Sequence, residues 1–132
     1  MVVVKLITIA YIAFFFFAGI NHFINPNFYD SIVPNYIPFP RFTHYLVGLI
    51  EMFVPFLLLT RYKNMTAIFM IFFIGILYLG NFHIWVNDLP YGNNYFTNTQ
   101  HFIRFLLQLV LIYVTYITVS YTHLTLPTIL LV

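Results

Sequence analysis

Apolar residues run along this chain in four blocks of about twenty, separated by prolines, amides and the few charges. The blocks cover about residues 2–22, 42–60, 65–85 and 101–119. A helix rises about 1.5 Å per residue, so about twenty apolar residues cross the hydrocarbon layer of a bilayer. The runs are too long and continuous for the alternation of a membrane-barrel strand. The pattern therefore predicts an all-α fold: a transmembrane four-helix antiparallel bundle over residues 1–118.

The connections differ in character. Arg61-Tyr62-Lys63-Asn64 is tight, which makes the second and third spans antiparallel neighbours. Asn25–Pro40 contains Pro26, Pro34, Pro38 and Pro40 and is read as non-helical. It also carries Phe28, Tyr29, Tyr36 and Phe39, so it predicts a proline-rich interfacial loop between helices 1 and 2, with rings at headgroup level. Asp88–Gln100 reads as a polar, turn-rich loop. The first block is longer than a cleaved signal core and lacks a small-x-small site, which predicts a retained span.

Composition turns this pattern into a statement about solvent. Hydrophobic residues make up 62% of the chain and charged residues 6%. A surface with so little charge does not stay dispersed in water, so the lipid bilayer is the expected partner. A net charge of +2 is too small to suggest nucleic-acid binding. The absence of cysteine excludes disulfides, thiolate metal sites and a dithiol relay in the chain itself. Lys5, Arg61 and Lys63 fall on one side and Asp30 and Asp88 on the other, with Arg41 and Arg104 weakening the bias. The positive-inside rule then predicts both termini in the cytoplasm.

Val119–Thr128 back-translates without a mismatch into a transposase adapter used in short-read sequencing libraries. Residues 119–132 are therefore expected to be a non-native tail, and His123 carries no functional weight.

Glu51 is the first chemical candidate. It lies near the middle of the second span, where an ionised carboxylate is costly unless paired. His44 and Gly48 share its helix face, and Pro55 leaves its carbonyl without an N–H partner, which predicts a kink. Arg104 and Gln108, four apart on the fourth span, are the expected partners in a Glu51–Arg104–Gln108 polar core. The bland alternative is a polar tie between helices. Asn81 shares a stripe with Tyr78 and Trp85 and should seek a partner across the bundle. His22, His44, His83 and His101 each mark the same end of one span. Such a ring could ligate a metal or haem, although interfacial polar tips explain it as well. No phosphate loop, nucleophile elbow or HExxH motif is present.

The run Phe17–Phe23 with Pro26, Phe28 and Pro34, the stretch Gly48-Leu49-Ile50-Glu51, Asn81, and the pair Arg104 and Gln108 resemble the signature of DoxX-like (DoxX/MauE-type) membrane proteins. The resemblance implies a four-helix bundle in a bacterial cytoplasmic membrane. It also implies an accessory or partner subunit of a quinone- or respiratory-linked redox system, with other membrane or periplasmic redox proteins as partners. No resident cofactor is expected on this reading; a quinone or haem is the candidate if one is held. A homo-oligomer stays open.

Two functions compete. One is this accessory subunit, with no catalytic activity of its own. The other is a small membrane enzyme, an isomerase or reductase of a lipophilic substrate, with Glu51 as acid/base. His22, His44 and Asn81 complete its candidate polar site. An enzyme needs a pocket reaching Glu51; filled space around Glu51 would leave a tie between helices.

Overall fold

A computed structural model describes the backbone of residues 2–131 and the side chains of residues 2–120. Most of the adapter-like stretch, His123 included, thus has side chains outside the described residues.

The protein is all-helical: α1 (Val2–Ile24), α2 (Pro26–Ile32), α3 (Pro40–Phe53) continued by a 3₁₀ segment (Val54–Leu59), α4 (Lys63–Val86) and α5 (Asn98–Leu131). No strand occurs among the described residues; Tyr91 and Asn94 form an isolated bridge around Gly92. Four helices are long and apolar enough to cross a membrane: Val2–Ile24, Pro40–Leu59, Lys63–Val86 and Asn98–Ser120. Phe14, Phe17, Phe42, Phe72, Ile76, Leu107 and Tyr113 point outward from them. Water tolerates no such belt of exposed rings, whereas acyl chains match it. The chain is a multi-pass membrane protein.

The loop after α1 departs from its non-helical reading. Pro26 sits at the start of α2, where its missing N–H costs nothing, and the helix runs to Ile32. Pro34 and Pro38 keep the following segment irregular. The interruption expected at Pro55 is present as a tightening. The α-helix stops at Phe53 and the chain continues as 3₁₀ to Leu59.

Packing follows two pairs. α1 lies on α3, and α4 lies on α5. The pairs meet where the 3₁₀ segment touches α4 and where α1 touches α5, while α3 itself barely touches α4. The tight turn thus makes the second and third spans neighbours at one end only. Tyr11, Phe15, Leu58, Ala67, Met70 and Ile74 form the core at that end. The Tyr11 hydroxyl meets the Thr115 hydroxyl at 2.7 Å across α1 and α5.

The close α1–α3 contact is made by glycines. A Cβ on Gly19 would overlap the Gly48 carbonyl oxygen, and one on Gly48 would come within 2.9 Å of the Gly19 carbonyl oxygen. Gly75 has nothing near it, and Gly80 only Ile32 at 3.7 Å. The crossing this close depends on small residues.

Candidate functional site

The glycine crossing sets the depth at which polar groups of α1 and α3 meet. One turn beyond Gly19, His22 reaches across to Glu51, with Nε2 3.2 Å from Oε2. That is ion-pair range, but Oε2 has no hydrogen-bond partner. Both residues are buried, and Tyr29 of α2 stacks on the His22 ring at 3.8 Å. The Asn21 amide donates to the Tyr29 hydroxyl at 2.8 Å. Burial pushes that hydroxyl upward in pKa, with the Asn21 bond opposing.

A second histidine–carboxylate pair lies beside the first. His44 Nε2 is 2.8 Å from Asp30 Oδ1, and the His44 ring is 5.6 Å from the His22 ring. Asp30 is clamped by the Arg41 guanidinium at 2.7 and 3.1 Å, and Arg41 also donates to the Asn27 amide oxygen. The hydrogen bonds from Arg41, then from His44, hold the Asp30 carboxyl below the usual aspartate range. Nδ1 of His22 and Nδ1 of His44 are buried without a hydrogen bond.

These rings wall one end of a pocket of about 210 Å³. It occupies the gap where α3 and α4 fail to pack. Tyr29, Pro34 and Tyr36 line it from the α2 side, Val47 and Gly80 from α3 and α4, and its lining includes Ile76 and Leu79, which are exposed on the outside of the bundle. Its lining is almost wholly apolar apart from the two histidines, Tyr29, Tyr36 and Thr43. Glu51 is not in the wall; it stands behind His22.

The other sequence candidates form a separate cluster. Arg104 donates to the Asn81 side-chain oxygen at 3.1 Å and lies 4.4 Å from the Tyr91 ring centre. Tyr91 donates to the same Asn81 oxygen at 2.7 Å, and burial pushes its own hydroxyl pKa upward. Gln108 donates to the Ile74 carbonyl at 2.8 Å. The expected Glu51–Arg104–Gln108 core is therefore not assembled. α5 packs on α4 and α1, which turns its polar face away from α3. The histidine ring does not close either. His22 and His44 adjoin, but His83 lies against Tyr36 and Asn87, and His101 stacks on Trp85 at 5.5 Å. Among the described residues, no group of three or more His, Asp or Glu could hold a metal ion.

Residues 12–119 match the family described as Domain of unknown function (DUF8561). The chain belongs to that family. The DoxX-like resemblance is thereby overturned, and the redox partnership and bacterial membrane it implied lose their source. Its motifs fail individually for a physical reason. Glycines, an amide and a buried carboxylate are what any close-packed small bundle needs, so their order in a DUF8561 chain need not signify DoxX. No curated protein and no solved structure matches this DUF8561 member.

Sequence reasoning missed Tyr29, Asp30, Gly19 and Tyr91 as site residues. Asp30 was visible only as a loop charge. Its partnership with His44 depends on α2 folding back over α3.

Proposed function

We propose that this protein holds a small lipophilic molecule inside the membrane, with one ring or a similar bulk and a hydrogen-bonding group at one end. The observation that carries this reading is the pocket between α3 and α4, apolar throughout and ended by two buried, carboxylate-backed histidines. A dry cavity of about 150 Å³ accepts benzene, so about 210 Å³ suits one substituted ring, of phenol or quinone type. The outward opening would let a tail pass into the lipid. The pocket does not reach Glu51, which supports reading that carboxylate as a tie between α1 and α3.

A second reading is favoured by the same histidines: acid/base chemistry on that molecule. His22 would touch the substrate, and Glu51 would be its positioning residue, since Glu51 lies outside the wall. The distribution of Lys5, Arg61 and Lys63 supports both termini on the cytoplasmic side, with the pocket in the opposite half of the bilayer.

Native mass spectrometry of the chain released from mild detergent tests the binding reading. A retained small molecule, lost in Gly80→Leu, is the expected result. Gly80 faces the pocket with its nearest neighbour at 3.7 Å, so the larger side chain has room to enter. A bare chain that also fails to take up added 4-nitrophenol would overturn it.

A further inference from the structure

Packed elements cover the pocket toward water, toward the opposite leaflet and toward α1. On the water side, α2 and the segment after it are tied to both neighbouring helices. Asp30 binds Arg41 and His44 of α3 at 2.7 and 2.8 Å. The Ile32 carbonyl oxygen lies 3.7 Å from where a Gly80 Cβ would stand on α4, and the Tyr36 ring meets His83 edge-on at 5.8 Å. Toward the opposite leaflet the 3₁₀ segment touches α4, and His22 of α1 lines the back. The remaining side lies between α3 and α4, which barely touch. Its lips are Val47 on α3, half-buried, and Ile76 and Leu79 on α4, which are 63% and 54% exposed while lining the pocket. Ile76 and Leu79 precede the end of α4 at Val86 by about 15 and 10 Å, at about 1.5 Å per residue. Half of a hydrocarbon layer is about 15 Å, so this side faces acyl chains.

Building on the pocket reading above, we propose that the ligand is a tailed lipid of the bilayer itself, which enters sideways between α3 and α4. Its compact end fills the pocket, and its long alkyl or prenyl tail leaves between Val47 and Leu79 into the acyl chains. Three observations carry this. A cavity of about 210 Å³ takes one ring and no long tail, so a tail has to leave. The lining is almost wholly apolar, so it selects by shape and matches hydrocarbon, which is what the lips face. A tail that stays among acyl chains meets an environment as apolar as its own and loses nothing there. A ligand arriving from water would instead have to part the Asp30–Arg41 tie or the Tyr36–His83 contact. A lipid already stands at the open side. Val47 and Leu79 are then the residues that set which tails pass.

The test is equilibrium dialysis of 4-nitrophenol against the full chain in lipid nanodiscs, with protein-free discs as the blank. The wild type should bind the probe saturably and release it to added 4-dodecylphenol, a phenol with a long tail. Leu79→Trp and Val47→Phe narrow the side opening from opposite lips. In at least one of them the tailed phenol should lose about tenfold more affinity than 4-nitrophenol, the scale of an overpacked contact. Leu79 is more than half exposed, so its enlargement leaves the helix packing intact and keeps the test open if Val47→Phe does not fold. Phe72→Trp adds bulk to the lipid face of α4 outside the lining and should change neither affinity. Equal losses for the two phenols in both lip variants, or a tailed phenol that displaces nothing from the wild type, overturn the tail exit and leave the pocket standing. A tail-specific loss in Tyr36→Trp and in neither lip variant also overturns it, because the exit would then lie at the headgroup side. A wild type that binds no 4-nitrophenol overturns the pocket reading and this proposal with it.

Discussion

The Gly48 carbonyl oxygen stands where a Cβ on Gly19 would be, so the α1–α3 crossing has no room for any other residue at position 19. Two backbone atoms, that oxygen and the Met52 nitrogen, line the space, and neither can swing aside as a side chain would. The same crossing brings His22 within reach of Glu51.

Gly19→Ala should therefore cost about 1–3 kcal/mol of stability, the usual range for overpacking a close contact. It should also weaken probe binding by moving His22. Gly75→Ala is the control, since nothing lies near Gly75. Denaturant titration in mixed micelles, followed by far-UV dichroism, measures both. Equal midpoints for the two variants would show that the crossing is looser than described.

His22→Leu leaves the Glu51 carboxylate buried without its counter-group. Removing one partner of a buried pair costs about 3–5 kcal/mol, while replacing both by apolar residues is often neutral. The double variant His22→Leu/Glu51→Leu should thus recover most of the loss. A double-mutant cycle in the same titration reads the coupling, and strictly additive losses would argue against a pair.

Asp30 ties α2 to α3 through Arg41 and His44. Its carboxyl is held below the ordinary aspartate value in the folded protein. The folded state therefore binds fewer protons than the unfolded one near those values. The tie is fully present above the ordinary value and is lost as pH falls through the lowered one. Amide protection in Pro26–Ile32, taken relative to the intrinsic exchange rate at each pH, should fall over that acid window and stay flat from neutral pH down to it. Arg41→Gln should move the onset to higher pH. An onset unchanged in that variant would mean that Arg41 is not what lowers the Asp30 pKa.

Tyr91→Phe removes one of the two donors to the Asn81 oxygen but leaves Arg104 over the ring. A single hydrogen bond contributes about 0.5–1.5 kcal/mol, so the loss should be of that size. Arg104→Lys should cost more, because an ammonium neither stacks on Tyr91 nor presents a planar fork. Reversing that order would place the weight of this cluster on the tyrosine hydroxyl.

Much of the architecture was legible in the sequence because hydrophobic length is a local property. The four spans appear within about three residues of the apolar blocks, and Pro55 interrupts the second as its missing N–H requires. Glu51 stood out because charge in hydrocarbon is costly, and it is indeed buried and facing another helix. What could not be read was rotation and neighbour choice. Arg104 was four residues from Gln108 on one face, as expected, but nothing in that spacing says that α5 packs on α4 and leaves α3 alone. Asp30 met His44 only because Pro26 started a helix where four prolines argued for none. The pocket is the product of a non-contact, the gap between α3 and α4, and no sequence pattern marks a gap.

The central claim is that a small lipophile sits in the pocket against His22 and His44. Histidine-selective 15N NMR in nanodiscs, with and without 4-nitrophenol, tests it most directly. The ring signals of His22 and His44 should shift together and saturate, while those of His83 and His101 stay in place. Signals of His22 and His44 that do not move, or four histidines that respond alike, would contradict it.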